Sequence, residues 1–154
     1  PARCYVGGDA AALDRRAVFA HSWQLVAHAA QLADAGDHVV AEIAGVPLVI
    51  LRGDDGELRA LHNVCRHRAG PLASCDGRGA KRLRCQYHGW TYAFDGRLLS
   101  APEMGDARDF AIDAIRLPQA RVAQWRGLVF ACVEANYVRE KAIKHWLLAR
   151  GAKI

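Results

Sequence analysis

The hydrophobic positions of this 154-residue chain change their spacing near residue 37. Before that point, the pattern predicts a helix over residues 11–19, a short strand over 23–26 and a helical turn over 29–33. After it, short apolar runs alternate with glycine-containing turns, which is typical of strands joined by hairpins. Strands are predicted over residues 39–43, 47–52, 58–63, 81–84, 90–94, 97–99, 121–125 and 128–133. This pattern predicts a mostly β fold, an antiparallel sandwich or small barrel with short N-terminal helices.

The C-terminal residues predict an amphipathic, basic helix. Apolar side chains fall on one face of residues 137–150, and Gly151 follows as a stop signal. Three parts of the chain are therefore predicted. They are an N-terminal helical segment packed on the domain (residues 1–36), a β domain (37–134) and a C-terminal helix (135–154).

The composition is that of an ordinary globular protein, with 52% hydrophobic and 24% charged residues. No apolar stretch approaches the ~20 residues that span a bilayer, and no signal peptide is recognisable. The net charge of +5 is scattered rather than concentrated on one stripe, which argues against nucleic-acid binding. Cys4, Cys75 and Cys132 form an odd set that suggests free thiols in a reducing compartment. We therefore expect a cytoplasmic protein without a membrane partner.

Two short cysteine–histidine motifs carry the chemistry. Cys65-x-His67 and Cys85-x-x-His88 are separated by seventeen residues, enough for the chain to fold back on itself. Two thiolates and two imidazoles at this spacing suit a structural Zn²⁺ site. They equally suit a [2Fe–2S] cluster in which two Cys bind one iron and two His bind the other. The spacing alone leaves both alternatives open.

The residues around the motifs resemble a known family. The stretches CRHRAGPL (residues 65–72) and CQYHGWTY (85–92) are similar to the two cluster loops of Rieske [2Fe–2S] proteins. More narrowly, they resemble those of the N-terminal domain of the large (alpha) subunit of Rieske non-haem iron, ring-hydroxylating oxygenases, where His-Gly-Trp follows the second cysteine. One departure is visible, because the glycine that usually comes directly after His-Arg stands one place later, at Gly70. The resemblance extends from about Phe19 to Val133.

The resemblance implies a Rieske-type fold with two metal-binding loops at one end. It also implies a [2Fe–2S] cluster bound by Cys65, His67, Cys85 and His88. Rieske proteins of respiratory complexes carry one further Cys in each loop, and these positions are filled otherwise here. We therefore expect the low-potential branch, within the range of about −150 to +300 mV that imidazole ligands give, against about −400 mV for plant-type all-cysteine clusters.

The surroundings of the motifs suggest how partners meet this chain. Six basic residues lie within residues 66–84. Each of them alone is expected on a solvated surface. Together they favour docking of an acidic electron donor. They are Arg66, Arg68, Arg78, Lys81, Arg82 and Arg84. Pro102 lies either in a third loop that covers the cluster or in a simple turn. Trp90 is expected to pack behind the second loop rather than to relay electrons.

The related oxygenases also hold a mononuclear Fe(II) through two His and one carboxylate. After His88 the chain contains one more histidine, His145, so this centre cannot be built downstream. His21 and His28 would lie about 10 Å apart along a helix, too far to share an ion. His38 and His62 are expected at the surface or hydrogen-bonded in the core. We therefore expect a chain that moves electrons but does not by itself activate oxygen.

Three functions remain open from the sequence. The first is one-electron transfer as the redox module of a ring-hydroxylating-type oxygenase whose catalytic iron domain is absent from this chain. The second is a self-standing Rieske ferredoxin, and the third is a zinc-stabilised binding module without a redox role. For the first two, a flavin reductase or a ferredoxin is expected as electron donor. A mononuclear iron oxygenase domain is expected as acceptor.

Overall fold

A computed structural model describes residues 2–105, 107–134 and 148–149. The strands are β1 (Gln24–His28), β2 (His38–Ile43), β3 (Val46–Arg52), β4 (Leu58–His62), β5 (Leu83–Arg84), β6 (Thr91–Tyr92), β7 (Leu98–Ser100), β8 (Gln119–Trp125) and β9 (Leu128–Cys132). Six of them form an antiparallel sheet in the order β1-β9-β8-β4-β3-β2, and β5, β6 and β7 form a second, smaller sheet. Contacts between β1 and β2 bring the edges of the larger sheet together, so that it is nearly closed. The predicted mostly β, antiparallel fold is confirmed.

Two hairpins of the larger sheet have the two-residue turns that their sequences predict. The β2–β3 turn consists of Ala44 and Gly45, with φ angles of 55° and 84°. The β8–β9 turn consists of Arg126 and Gly127, with φ angles of 47° and 81°. Positive φ at both central residues gives the turn twist that matches paired strands, and glycine at the second place lowers its cost.

Strand β3 separates the two larger hydrophobic cores of the described residues. Leu48 and Ile50 point into a core inside the larger sheet, while Val49 and Leu51 point into a core shared with the smaller sheet. All four side chains are fully buried. Each contributes about 1.5–3 kcal/mol relative to an exposed position. This burial on both faces explains why the sequence shows a continuous apolar run here instead of an alternating one.

The second core extends to the cysteine–histidine motifs. It contains Cys65 and Cys85 together with Leu83, Trp90 and Tyr92, all of them buried. The smaller sheet therefore carries the second motif and packs it against β3 and β4. Strands β5 and β6 are shorter than predicted, because only residues 83–84 and 91–92 of the segment 81–94 form strands.

The N-terminal residues form two helices, α1 (Arg3–Val6) and α2 (Gly8–Ala17). The sequence predicted the second but not the first. Helix α2 has no buried residue, and Tyr5 and Leu13 are exposed on these helices. A 3-10 turn over Ala29–Leu32 lies where a helical turn was predicted. Strand β1 lies within the predicted N-terminal segment, residues 1–36, and pairs with β9.

The predicted C-terminal helix over residues 137–150 falls outside the described residues, apart from positions 148 and 149. Among the residues that are described, no helix is long and apolar enough to cross a membrane.

Candidate metal centre

The two motifs fold into turns with the same hydrogen bonds. In the first, the Cys65 N–H donates to the Gly70 carbonyl (2.8 Å) and the Ala69 N–H donates to the Cys65 carbonyl (2.9 Å). In the second, the Cys85 N–H donates to the Trp90 carbonyl (2.9 Å) and the Gly89 N–H to the Cys85 carbonyl (3.0 Å). Each cysteine is therefore the first residue of a closed turn. The histidine follows two places later in the first turn and three places later in the second.

Residues Ala69 and Gly89 occupy equivalent places in the two turns. Both are in the left-handed region, with φ angles of 57° and 74°. Glycine adopts this conformation without steric cost, whereas alanine does not. The family's glycine after His-Arg would stand at residue 69, so the departure seen in the sequence places a strained alanine in the first turn.

The turns bring the four predicted ligand residues to one end of the protein. The imidazole rings of His67 and His88 lie side by side, with centroids 4.5 Å apart and planes at 68°. Both cysteines are buried, at 3% and 2% exposure for Cys65 and Cys85, while both histidines are half-buried. A Cβ built on Gly70 would lie 3.1 Å from Sγ of Cys85, so the first turn packs directly on the second cysteine. The thiols face the core and the imidazoles face outward.

Aromatic residues support the histidine side. The indole of Trp90 stacks on the His67 ring, with centroids 4.8 Å apart and planes at 8°. Phe110 meets the other side of the indole edge-on at 5.7 Å. Trp90 is 4% exposed and lies behind the loop, as the sequence predicted. Tyr87 is exposed, and its ring lies 3.9 Å from that of His88.

Tyr92 contributes a hydroxyl to the thiol side. Its Oη lies 3.3 Å from Sγ of Cys65 and accepts a hydrogen bond from the Arg66 N–H at 3.0 Å. Burial raises the pKa of Tyr92, and the contact with Cys65 raises it further. The hydroxyl therefore keeps its proton, and either the hydroxyl or the Cys65 thiol can be the donor in this contact. No sequence signal pointed to this contact, because it joins residues 27 positions apart.

Burial, the neighbouring His88 and Arg68 lower the pKa of His67 below its ordinary value. A neutral imidazole is the form that binds metals. The Nδ1 atom of His67 is buried and has no hydrogen-bond partner. A buried nitrogen without a partner is costly in a folded protein unless a bound metal or ligand pairs with it. The chemistry of the donor set, two thiols and two imidazoles, and this free nitrogen both fit a metal cluster.

Among the described residues, no three Cys, His, Asp or Glu side chains converge as the ligands of a single ion would. Two of the other described histidines form local hydrogen bonds. Nδ1 of His28 accepts from the Ala30 N–H, and His38 bonds the Gly36 carbonyl at 3.1 Å. His62 is half-buried, and burial lowers its pKa. Cys75 is exposed and Cys132 buried, both as free thiols.

The six basic residues of the segment are all exposed. Two of them have acidic partners, since Arg78 lies 3.5 Å from Asp37 and Arg82 lies 3.2 Å from Asp54. Pro102 packs beside the second turn, because a Cβ built on Gly89 would lie 3.5 Å from its ring. Pro102 also lies in a turn closed by the Met104 N–H and the Ala101 carbonyl (3.4 Å), so the two alternatives for this residue stay open.

The antiparallel fold and its pair of cysteine–histidine turns are those of a family of iron–sulfur proteins. Residues 22–121 match the family model of the Rieske [2Fe-2S] domain, and the chain belongs to this family. Rieske domains bind a [2Fe–2S] cluster, which is therefore the cofactor of this chain.

Similar proteins narrow the assignment within the Rieske family. The chain is 36% identical over 154 residues to the carnitine monooxygenase oxygenase subunit of Escherichia coli (strain K12), covering all of this chain and 40% of that protein. It is 38% identical over 120 residues to the glycine betaine monooxygenase oxygenase subunit of Chromohalobacter salexigens, covering 77% and 26%. The chain thus spans well under half the length of these relatives. It corresponds to the Rieske domain of an oxygenase alpha subunit.

Solved structures agree with this placement. The quaternary ammonium Rieske monooxygenase CntA in complex with L-carnitine superposes with a TM-score of 0.83 at 32% identity, over 92% of this chain and 41% of that one. Naphthalene 1,2-dioxygenase from Rhodococcus sp. gives 0.81 at 28% identity, over 91% and 33%.

Proposed function

We propose that this chain carries single electrons through a cluster in which Cys65 and Cys85 hold one iron and His67 and His88 hold the other. The observation that carries the proposal is the pair of equivalent turns, which buries both thiols and sets the two imidazoles side by side at 4.5 Å. The bound cluster supplies a centre that accepts and releases one electron. The three-part organisation, with residues 1–36 and 135–154 flanking the β domain, is proposed with it.

The protein's own groups set the conditions of this transfer. The Tyr92 hydroxyl donates to Cys65 Sγ, and such hydrogen bonds to a sulfur ligand favour the electron-rich state. Exposed arginines near the centre act in the same direction. The half-buried rings of His67 and His88 form the outward edge of the site, where an acceptor can approach closely. Trp90 fixes the orientation of the His67 ring by stacking on it.

The electron donor is proposed to be a flavin reductase or a ferredoxin with an acidic surface. Beside Cys85 opens a groove of about 610 Å³ whose lining includes Leu72, Leu83, Tyr87 and Arg82, which also pairs with Asp54. An apolar patch edged by positive charge suits a negatively charged partner, because charge steers the encounter and apolar contact holds it. Salt should therefore slow the reduction of this chain by its donor.

The acceptor is proposed to be the mononuclear iron centre of an oxygenase domain. Support comes from the relatives, whose matched parts are Rieske domains within longer oxygenase subunits. The chain is 36% identical to both the carnitine monooxygenase subunit and the biphenyl 2,3-dioxygenase alpha subunit of Rhodococcus jostii. Oxygenases named for unlike substrates thus show the same identity, over 154 and 124 residues, as expected if the substrate is selected outside the matched region.

Metal analysis of ligand variants tests the proposal. The anaerobically purified chain should contain about two iron and two sulfide ions. Cys65→Ser and Cys85→Ser should each lose both, whereas Cys75→Ser, which changes an exposed cysteine of the same segment, should retain them. Zinc in place of iron, or full iron content in Cys65→Ser, would refute the assignment.

A further inference from the structure

Two buried polar side chains hold the segment between the two turns, which we call the linker (residues 71–84). Among the described residues with polar or charged side chains, Asp37 and Asn63 are the ones that are buried, at 2% and 8% exposure. Burying a polar group is costly unless it is fully hydrogen-bonded. Both residues form hydrogen bonds with main-chain atoms of the linker, and Asp37 also accepts from the Asp34 N–H. These bonds offset the cost of their burial.

Asn63 holds the start of the linker. Its Oδ1 accepts hydrogen bonds from the N–H groups of Leu72 (2.9 Å) and Ala73 (3.0 Å). Its Nδ2 donates to the Ala73 carbonyl at 2.7 Å. These three bonds tie the segment that follows the first turn to the end of β4.

Asp37 holds the middle of the linker. Its Oδ1 accepts from the Gly79 N–H at 3.0 Å, and its Oδ2 accepts from the Asp34 N–H at 3.1 Å and faces Arg78 at 3.5 Å. Hydrogen bonds keep the pKa of Asp37 below its ordinary value, although burial raises it. The bond from the Asp34 N–H has the largest effect, and the bond from the Gly79 N–H has a smaller one. The carboxylate is therefore charged when it binds the linker.

Main-chain contacts around Asp37 require two glycines. His38 and Gly77 exchange two N–H···O bonds of 2.8 and 2.9 Å, and the Ala80 N–H donates to Gly36 at 3.1 Å. A Cβ on Gly36 would lie 2.0 Å from the Ala80 carbonyl oxygen, and one on Gly77 would lie 2.6 Å from Cε1 of His38. The linker thus approaches the beginning of β2 as closely as a main chain can.

We infer that Asp37 and Asn63 are positioning residues for the cluster. They fix the linker at its start and its middle, and the linker leads directly into β5 and Cys85. The second ligand pair is thereby held at a fixed place relative to the first, against which Cys85 already packs through Gly70. This inference rests on the proposed ligand assignment. In metal sites, removing a residue that orients the metal ligands lowers metal affinity by about 10–100-fold.

The variant Asp37→Asn tests the inference. Its amide replaces one accepting oxygen by an N–H₂ group, so the N–H of Gly79 or of Asp34 loses its acceptor. Asp55→Asn is the matched control, because Asp55 also accepts from a main-chain N–H and an arginine, but in the turn between β3 and β4. We expect Asp37→Asn to release iron to a chelator about tenfold faster or more, with broadened EPR lines. We expect Asp55→Asn to lower only the melting temperature.

A second variant keeps the test decisive if Asp37→Asn does not fold. Gly77→Ala displaces the linker from His38 while leaving the carboxylate intact, and it should give the same faster release and the same broadening. Folded variants with the release rate and EPR spectrum of the parent chain would overturn the inference. A parent chain that binds no [2Fe–2S] cluster would instead refute the proposed function.

Discussion

The hydroxyl of Tyr92 lies 3.3 Å from the sulfur of Cys65, in the fully buried interior behind the first turn. Because the same oxygen accepts from the Arg66 N–H, its own hydrogen is free to point at the sulfur. A thiolate that binds iron gains electron density when the iron is reduced, and a donor to it stabilises that state. This contact therefore connects a side chain far along the chain with the redox properties of the centre.

Tyr92→Phe should lower the reduction potential. A hydrogen bond to a charged acceptor that strengthens by about 1 kcal/mol on reduction corresponds to about 40 mV for one electron. Protein-film voltammetry measures this shift. Tyr87→Phe removes a hydroxyl from an exposed ring and should leave the potential in place. Equal potentials in the parent chain and Tyr92→Phe would show that the hydroxyl does not donate to Cys65.

His88→Cys should keep some cluster binding but lower the potential sharply. The thiolate would replace a neutral imidazole and so add negative charge next to the iron. The reduction potential should therefore shift towards the value of all-cysteine clusters, about −400 mV. We expect a decrease of at least about 100 mV. An unchanged potential in this variant would mean that His88 is not a ligand.

Ala69→Gly should stabilise the protein. Ala69 has a φ angle of 57° at the place where the second turn has Gly89. The left-handed conformation costs a non-glycine residue about 1–2 kcal/mol, and glycine removes this cost. Glycine also increases the conformational entropy of the unfolded chain, which reduces the gain by about 0.4–1 kcal/mol. The net gain in the free energy of unfolding should be about 1 kcal/mol, measured by urea denaturation of the cluster-loaded protein.

Gly89→Ala makes the reverse change at the equivalent position of the second turn. It should lower the free energy of unfolding by a similar amount. Its Cβ meets only ordinary contacts, so the backbone conformation is the main source of the loss. Opposite signs for the two variants are expected. A destabilised Ala69→Gly would contradict the equivalence of the two turns.

Acid should destabilise the fold partly through Asp55. Its hydrogen bonds with Arg59 hold its pKa well below the ordinary value. The stability this pair provides is present above the unfolded pKa of about 3.9 and is lost as the pH falls towards the lower folded value. Unfolding free energies measured at a series of pH values below about 4 should therefore fall less steeply in Asp55→Asn. Parallel curves for parent and variant would show that the pair has no such effect.

Most strands could be predicted because their signals are local. The apolar run of β3 and the glycine turns after β2 and β8 mark strands and hairpins directly. The pairing of β1 with β9 could not be predicted, because it joins residues about a hundred places apart and depends on closure of the whole sheet. The short strands β5 and β6 were predicted too long, since the apolar residues near Trp90 and Phe94 pack in loops as well as in strands.

The four ligand candidates were identified from motif and spacing, and the structure brings their side chains to one end. What supports them was not visible in the sequence. Tyr92 meets Cys65 across 27 positions, and Asp37 meets Gly79 across 42. Such contacts exist only once the sheet has formed. Asn63 offered a weak signal, as a polar residue that ends a buried strand two places before the first cysteine.

The most direct test of the account is the visible and low-temperature EPR spectrum of the anaerobically purified chain, before and after reduction with dithionite. Mixed ligation predicts a red-brown protein that is EPR-silent when oxidised. On reduction it should give a rhombic signal whose average g value lies below that of all-cysteine [2Fe–2S] proteins. A colourless, EPR-silent protein that holds zinc in both states would contradict it.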